Sequence, residues 1–295
     1  MKKKQILILI AIIFLPVLAG IVVEHAGNST SKKTLTSPLS RSIGLVRIVD
    51  VIYDAEEPVR QLREMREDDK IAAVVLRIES PGGAVAPSQE IYQEVLRFRA
   101  AGKPVIASIG TVGASGGYYI ASAAEKIFAN SGSITGSIGV IFQFGQFYKL
   151  MDKIGVSFET IKSGKYKDVG NPNRAMTDGE RQYMQNLIDD TYEQFLTDVS
   201  IGRTMALDTV RRLAEGKIYT GRQAKKVGLV DTLGTFDDAL SFCKKRVGLP
   251  DRARVVEKRD SFTSWKDIVF KEVADRVPFL RKSSLPMGTY FLWGG

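Results

Sequence analysis

Ser115 stands in the run Gly113-Ala114-Ser115-Gly116-Gly117-Tyr118-Tyr119, after a β-branched stretch at 105–109 and before an alanine-rich helical stretch at 120–124. A serine between glycines at a strand-to-helix turn is presented at the tip of a sharp bend, and the N–H after it lies near the positive end of the helix. Such a turn can hold a nucleophilic hydroxyl, although an ordinary N-capping serine gives the same local pattern. A second glycine turn, Glu79-Ser80-Pro81-Gly82-Gly83, closes the β-branched run at 71–78. Adjacent glycines let a substrate carbonyl approach backbone N–H groups, so the amides of Gly82 and Gly116 together would form an oxyanion hole.

A nucleophilic serine needs a base. The single histidine, His25, lies at the end of an apolar N-terminal run, ahead of the folded region. A Ser-His-Asp triad is thereby excluded, and catalysis by the one cysteine, Cys243, lacks a partner for the same reason. No cluster of His, Cys or paired carboxylates has metal-ligand spacing, so neither a metal nor another cofactor is expected. Lysine is the base that remains, and the best placed lysines are those of Lys162-Ser163-Gly164-Lys165-Tyr166-Lys167-Asp168. An unperturbed lysine has a pKa of about 10.4, so acting as a base near neutrality needs a depression of about three units, or ~4 kcal/mol, which burial can supply. Residue types and spacing do not separate Lys162, Lys165 and Lys167.

The elements that must position these groups read as an α/β fold. Short β-branched runs predict strands at 43–49, 71–78, 105–109, 127–129, 138–142, 158–161 and 254–257. Helical periodicity predicts helices at 58–67, 87–101, 177–200, 206–214, 222–227 and 235–247. Strands alternating with helices imply parallel pairing. With 295 residues, 44% hydrophobic and 25% charged, the chain is long and apolar enough for a sizeable core, and a disordered chain is excluded.

Residues 6–23 are uncharged and follow Lys2, Lys3 and Lys4. As a helix they would extend roughly 27 Å, close to the thickness of a bilayer core, and the preceding lysines place the N-terminus in the cytoplasm. A cleaved secretory signal also begins this way, but no small-x-small cleavage site follows the run. The expected organisation is a transmembrane anchor at 1–24, a polar Ser/Thr-rich tether at 25–42, a peptidase-sized folded domain at 43–258, and a C-terminal helix and tail at 259–295. That places a single-pass chain in the cell membrane with its folded domain on the extracytoplasmic side. Cys243 has no second cysteine to pair with and sits in a helical stretch, where burial is expected. The net charge of +9 is spread out, and no nucleic-acid partner is expected of an exported domain. In the tail, Trp265, Ile268, Val269, Val273 and Val277 form an apolar stripe, and Tyr290, Phe291, Leu292 and Trp293 an aromatic cluster with no assigned role.

Taken together, these motifs resemble the SppA-type signal peptide peptidases, membrane-bound bacterial Ser-Lys proteases related in fold to the Clp protease and crotonase superfamily. The resemblance covers nearly the whole chain, and includes Ser80-Pro81-Gly82-Gly83, the Ser115 turn, Thr135-Gly136-Ser137-Ile138-Gly139-Val140, the Lys162–Asp168 run, and Gly221-Arg222-Gln223-Ala224. It implies a repeated ββα superhelix with Ser115 as nucleophile, Lys167 as general base, Gly82 and Gly116 as oxyanion donors, and Ser137 holding the lysine amine. It further implies a homo-oligomeric ring in which serine and lysine of one site can come from different subunits, with leftover signal peptides as substrates. Two other readings compete. A crotonase-like acyl-CoA enzyme would share the paired amides but not the export signal, and a catalytically silent scaffold binding membrane peptides would not need Ser115, Lys167 and Ser137 together.

Overall fold

The computed structural model describes residues 41–258 and 290–292. The predicted anchor, His25, the tether up to residue 40 and the C-terminal apolar stripe lie outside the described residues. In chain order the elements are β1 (Ser42–Val49), α1 (Glu56–Glu67), β2 (Ile71–Ser80), β3 (Gly82–Ala84), α2 (Val85–Ala100), β4 (Val105–Ala114), α3 (Gly116–Ser122), β5 (Lys126–Ala129), β6 (Ile134–Gly136), α4 (Tyr148–Lys153), α5 (Asp178–Arg203), α6 (Leu207–Leu213), β7 (Ile218–Thr220), α7 (Gly221–Lys226), β8 (Thr232–Leu233), α8 (Phe236–Arg246), β9 (Val255–Glu257) and β10 (Tyr290–Leu292).

The main sheet runs β7-β6-β4-β2-β1-β9, with β5 and β8 branching from β4. Every pairing in it is parallel except β6 with β7. Strands β2 and β4 lie between neighbours and are covered on both faces, which is why they read as continuous apolar runs instead of alternating ones. On one face Val74, Leu76 and Ile78 join Leu62 and Met65 of α1, Ile91 and Phe98 of α2, and Phe195 of α5. On the other, Ala73, Val75 and Ile106 meet Ala239 and Cys243 of α8. Burial pushes the Cys243 thiol up to about 12, so it stays protonated in the core.

Strand β4 is shared along its length. Residues 106–109 pair with β5 and residues 112–114 with β6. The end of β4 therefore carries a different neighbour from its start, and that neighbour belongs to the site.

Helices α5, α7 and α8 each begin with a capping box, Thr177 with Glu180, Thr220 with Gln223 and Thr235 with Asp238, which fixes starts that periodicity places only approximately. Two predicted strands do not form. Residues 138–142 and 158–161 are in no ladder, and Ile141, Phe158 and Ile161 are exposed, Ile161 to 94%. Their β-branched composition has no partner strand within the chain, and propensity without pairing does not make a strand. The tether also ends earlier than predicted, since Ser42 is already in β1. Among the described residues no helix is long and apolar enough to cross a membrane.

Candidate active site

The turn from β4 into α3 places Ser115 at φ 52°, ψ −116°. A non-glycine residue in this region costs about 1–3 kcal/mol, so its surroundings must impose the conformation. They do so from several sides. The Ser115 N–H donates to the Gly136 carbonyl at 2.8 Å, and its carbonyl accepts from the Tyr119 N–H at 2.7 Å. All of α3 is buried. The Tyr118 hydroxyl donates to the Leu229 carbonyl at 2.9 Å and the Tyr119 hydroxyl to the Asp198 carboxylate. Burial raises both phenols well above their ordinary range, helped at Tyr119 by Asp198, so both remain donors. The Tyr119 ring also packs against Tyr92 and Phe195, with centroids 4.8 and 4.9 Å away.

Held this way, the Ser115 Oγ is buried and makes no hydrogen bond among the described residues. An unpaired buried hydroxyl costs about 1–3 kcal/mol, and such a group in a native fold needs a reason.

The second glycine turn lies against the first. Gly82 has φ 110°, and its N–H donates to the Ser80 Oγ at 3.1 Å, while that hydroxyl donates to the Asp50 carbonyl at 2.6 Å. On one edge of β3 the Ile52 N–H donates to the Gly82 carbonyl at 3.0 Å, and the Ala84 N–H donates to the Ile52 carbonyl at 2.7 Å. Successive residues of a strand point their polar groups to opposite edges, so the Gly83 N–H faces away from Ile52. This revises the sequence-based pairing of Gly82 with Gly116: the Gly82 amide is engaged in its own turn, and the amide on the other edge is that of Gly83. Gly116 approaches both glycines so closely that a Cβ there would lie 2.6 Å from the Ser88 Oγ, 3.2 Å from the Gly83 N and 3.3 Å from the Gly82 Cα.

Ser137 is brought to the nucleophile by register. Ala114 pairs with Gly136, so Ser115 and Ser137 are the next residues on adjacent parallel strands, and both have φ 52°. The Ser137 N–H is fixed by the Lys217 carbonyl at 2.7 Å. The residue lines a groove of about 520 Å³ with Val140, Ile188, Asp189, Tyr192 and Gly216.

The lysines are not brought to Ser115 within one chain. Lys167 is exposed, and among the described residues its ammonium has no hydrogen-bonding or ionic partner. Lys162 pairs with Asp168, and the Lys165 ammonium lies 5.1 Å from the Tyr166 ring centroid. Asp168, next to Lys167, accepts from Arg174 Nε at 2.8 Å, and Arg174 Nη1 donates to Glu180 at 2.8 Å, which ties the lysine loop to the start of α5. These hydrogen bonds hold the Asp168 carboxyl far below the usual carboxylate range and the Glu180 carboxyl down to about 2. Lys103 has an ammonium pushed down by burial, but it donates to the carbonyls of Arg66 and Asp68 at 2.9 and 2.8 Å. It caps the end of α1 and precedes β4, whereas Ser115 follows that strand, so it is no candidate base.

A strained, buried serine at a strand-to-helix turn, beside two glycine-rich amides, defines a serine hydrolase site. Comparison with known proteins narrows the class. The profile of peptidase family S49 matches residues 97–250. A protein of Synechocystis sp., provisionally named a protease, is 46% identical over 190 residues, covering 64% of this chain and 68% of that protein. A protein of Enterococcus faecium with the provisional name signal peptide peptidase SppA is 37% identical over 213 residues, 72% of this chain and 62% of its own length. Serine protease SPPA of the Arabidopsis thaliana chloroplast is 35% identical over 254 residues, 84% of this chain but 36% of the relative. The chain belongs to peptidase family S49 and is a serine peptidase of the SppA type.

Several contributors were not singled out by sequence reasoning: the Ser80 hydroxyl, the Gly83 amide, Ser88, and the Arg174 bridge. Each acts through hydrogen bonds or contacts between segments distant in sequence. Only the capping-box spacing of Thr177 and Glu180 offered a local signal for the last of them.

Proposed function

We propose that this peptidase is a membrane-anchored endopeptidase that degrades leftover signal peptides with a Ser115–Lys167 dyad, Lys167 reaching Ser115 from a neighbouring copy. The observation that carries the dyad is the Ser115 Oγ itself, buried, strained and without a partner while Lys167 is exposed on the same chain. The apolar residues Phe147, Leu150, Ile154, Phe158 and Ile161, all more than half exposed, offer a neighbour a surface next to the lysine loop. Burial of Lys167 by that neighbour would supply the pKa depression a lysine base requires.

In the reaction, neutral Lys167 takes the Ser115 proton as Oγ attacks the scissile carbonyl. The N–H groups of Gly116 and Gly83 receive the oxyanion, and Ser137 holds the lysine amine in line. The lysine then protonates the leaving amine, and water activated by the same lysine hydrolyses the acyl-enzyme. The apolar run at 6–23 supports an anchor, and the printed name of the Enterococcus relative supports signal peptides as substrates. Apolar peptides are the matching substrate class.

The test is complementation. Ser115→Ala and Lys167→Ala chains are each assayed alone and after co-assembly, together with labelling by a serine-directed phosphonate. Each variant alone is expected to be inactive. Random mixing makes about a quarter of the sites whole if serine and lysine come from different copies. An assembled Lys167→Ala protein with near-normal activity would refute the base. No recovery in mixed assemblies would refute the shared site, and absence of Ser115-dependent labelling in the wild type would refute the nucleophile.

A further inference from the structure

The free edge of the candidate oxyanion strand is not empty in the folded chain. Strand β10, six residues from the C-terminus at its start, pairs antiparallel with β3, Tyr290 opposite Ala84, Phe291 opposite Gly83 and Leu292 opposite Gly82. The other edge of β3 is occupied by Ile52, through the bonds to Gly82 and Ala84. By strand alternation the Gly83 N–H and carbonyl face β10, and their register partner is Phe291. The segment also lies against α3, the helix that begins at Gly116. A backbone strand from the chain's own tail therefore takes the Gly83 amide that an incoming peptide carbonyl would need. Its sequence, Tyr-Phe-Leu-Trp-Gly-Gly, is apolar and extended, as a peptide added to a sheet edge should be.

We infer that the C-terminal strand occludes the peptide-binding edge of β3 and that a substrate must displace it to reach Ser115. The inference rests on the peptidase reading above. Occupancy is a competition between two strands for one edge. A tethered tail competes at an effective concentration in the millimolar range without needing high affinity. The tail thus raises the substrate concentration needed for turnover and leaves the chemical step unchanged once substrate is in place.

The experiment compares the full chain, a chain ended after residue 288, and the full chain carrying Phe291→Pro, which removes the N–H facing the Gly83 carbonyl. KM and kcat are measured on an apolar peptide, with the rate of Ser115 labelling by a phosphonate. Truncation is expected to lower KM about tenfold with kcat within about twofold, a scale set by two backbone hydrogen bonds in competition. Phe291→Pro should shift KM in the same direction, and both forms should label faster. The synthetic peptide Thr-Tyr-Phe-Leu-Trp-Gly-Gly should inhibit the truncated chain competitively. Unchanged KM and labelling rate in both altered chains, with labelling still dependent on Ser115, would overturn the tail inference and leave the peptidase reading standing. Failure of the peptide to compete would overturn it equally. If no form labels at Ser115, it is the peptidase reading that fails.

Discussion

Gly116→Ala tests the oxyanion geometry directly. The added methyl would lie 2.6 Å from the Ser88 Oγ, a distance real Cβ contacts do not reach. Ser88 cannot easily yield, because it is fully buried and its hydroxyl donates to the Ala84 carbonyl at 2.9 Å. The next atoms are backbone, Gly83 N at 3.2 Å and Gly82 Cα at 3.3 Å, so relief requires α3 to move away from β3. That movement separates the two N–H groups proposed to hold the oxyanion. Loss of one such donor costs about 10²–10³ in kcat, or ~2.7–4 kcal/mol, whereas forcing a methyl into a packed site costs about 1–3 kcal/mol of stability. The expected result is a kcat lowered by about two to three orders of magnitude, a KM within about twofold, and a folded protein with a lower urea midpoint. Adding Ser88→Ala removes the nearest atom and leaves 3.2 Å as the closest contact, so the double variant should regain at least about tenfold in kcat. A Gly116→Ala enzyme within about threefold of wild type would refute the reasoning. So would a folded double variant no better than the single one.

Three further outcomes are expected. Ser115→Ala removes a buried hydroxyl that has no partner, so stability should rise or hold, by an amount up to about 1 kcal/mol in urea unfolding; a comparable loss would mean the Oγ is bonded after all. Asp168→Asn weakens the contacts with Lys162 and Arg174 that fix the loop bearing Lys167, and steady-state kinetics should show kcat down about ten- to a hundredfold with KM nearly unchanged, whereas unaltered kcat would disconnect that loop from catalysis. For Glu180 the folded pKa is depressed from 4.5 to about 2, mainly by the Arg174 hydrogen bond, so its stabilising contribution is present above 4.5 and disappears as pH falls through about 2. The melting-temperature gap between wild type and Glu180→Gln should therefore stay constant from about pH 7 to 5 and close toward pH 2, and a gap that instead opened on acidification would contradict the assignment.

Local patterns carried much of this protein. The β-branched runs at 43–49, 71–78 and 105–109 are strands because their side chains are buried against helices that the sequence also marks. The glycines around Ser115 announce a bend that few other sequences could make. The isolation of His25 left lysine as the base before any geometry was known. Other features depend on which segments lie side by side, and local propensity carries no such information. Residues 138–142 and 158–161 have strand composition but no neighbour to pair with, while the three residues of β6 have almost no signal and become a strand because β4 runs past them. That same pairing sets Ser137 beside Ser115. The sequence pointed to a Pro-Gly-Gly turn without showing which glycine turns its N–H outward; contacts with Ser80 and Ile52, one local and one about 30 residues away, decide for Gly83. Residue types and turn chemistry could determine that a serine nucleophile exists. The direction of each hydrogen bond, and the strand that covers the site, are properties of the packed chain alone.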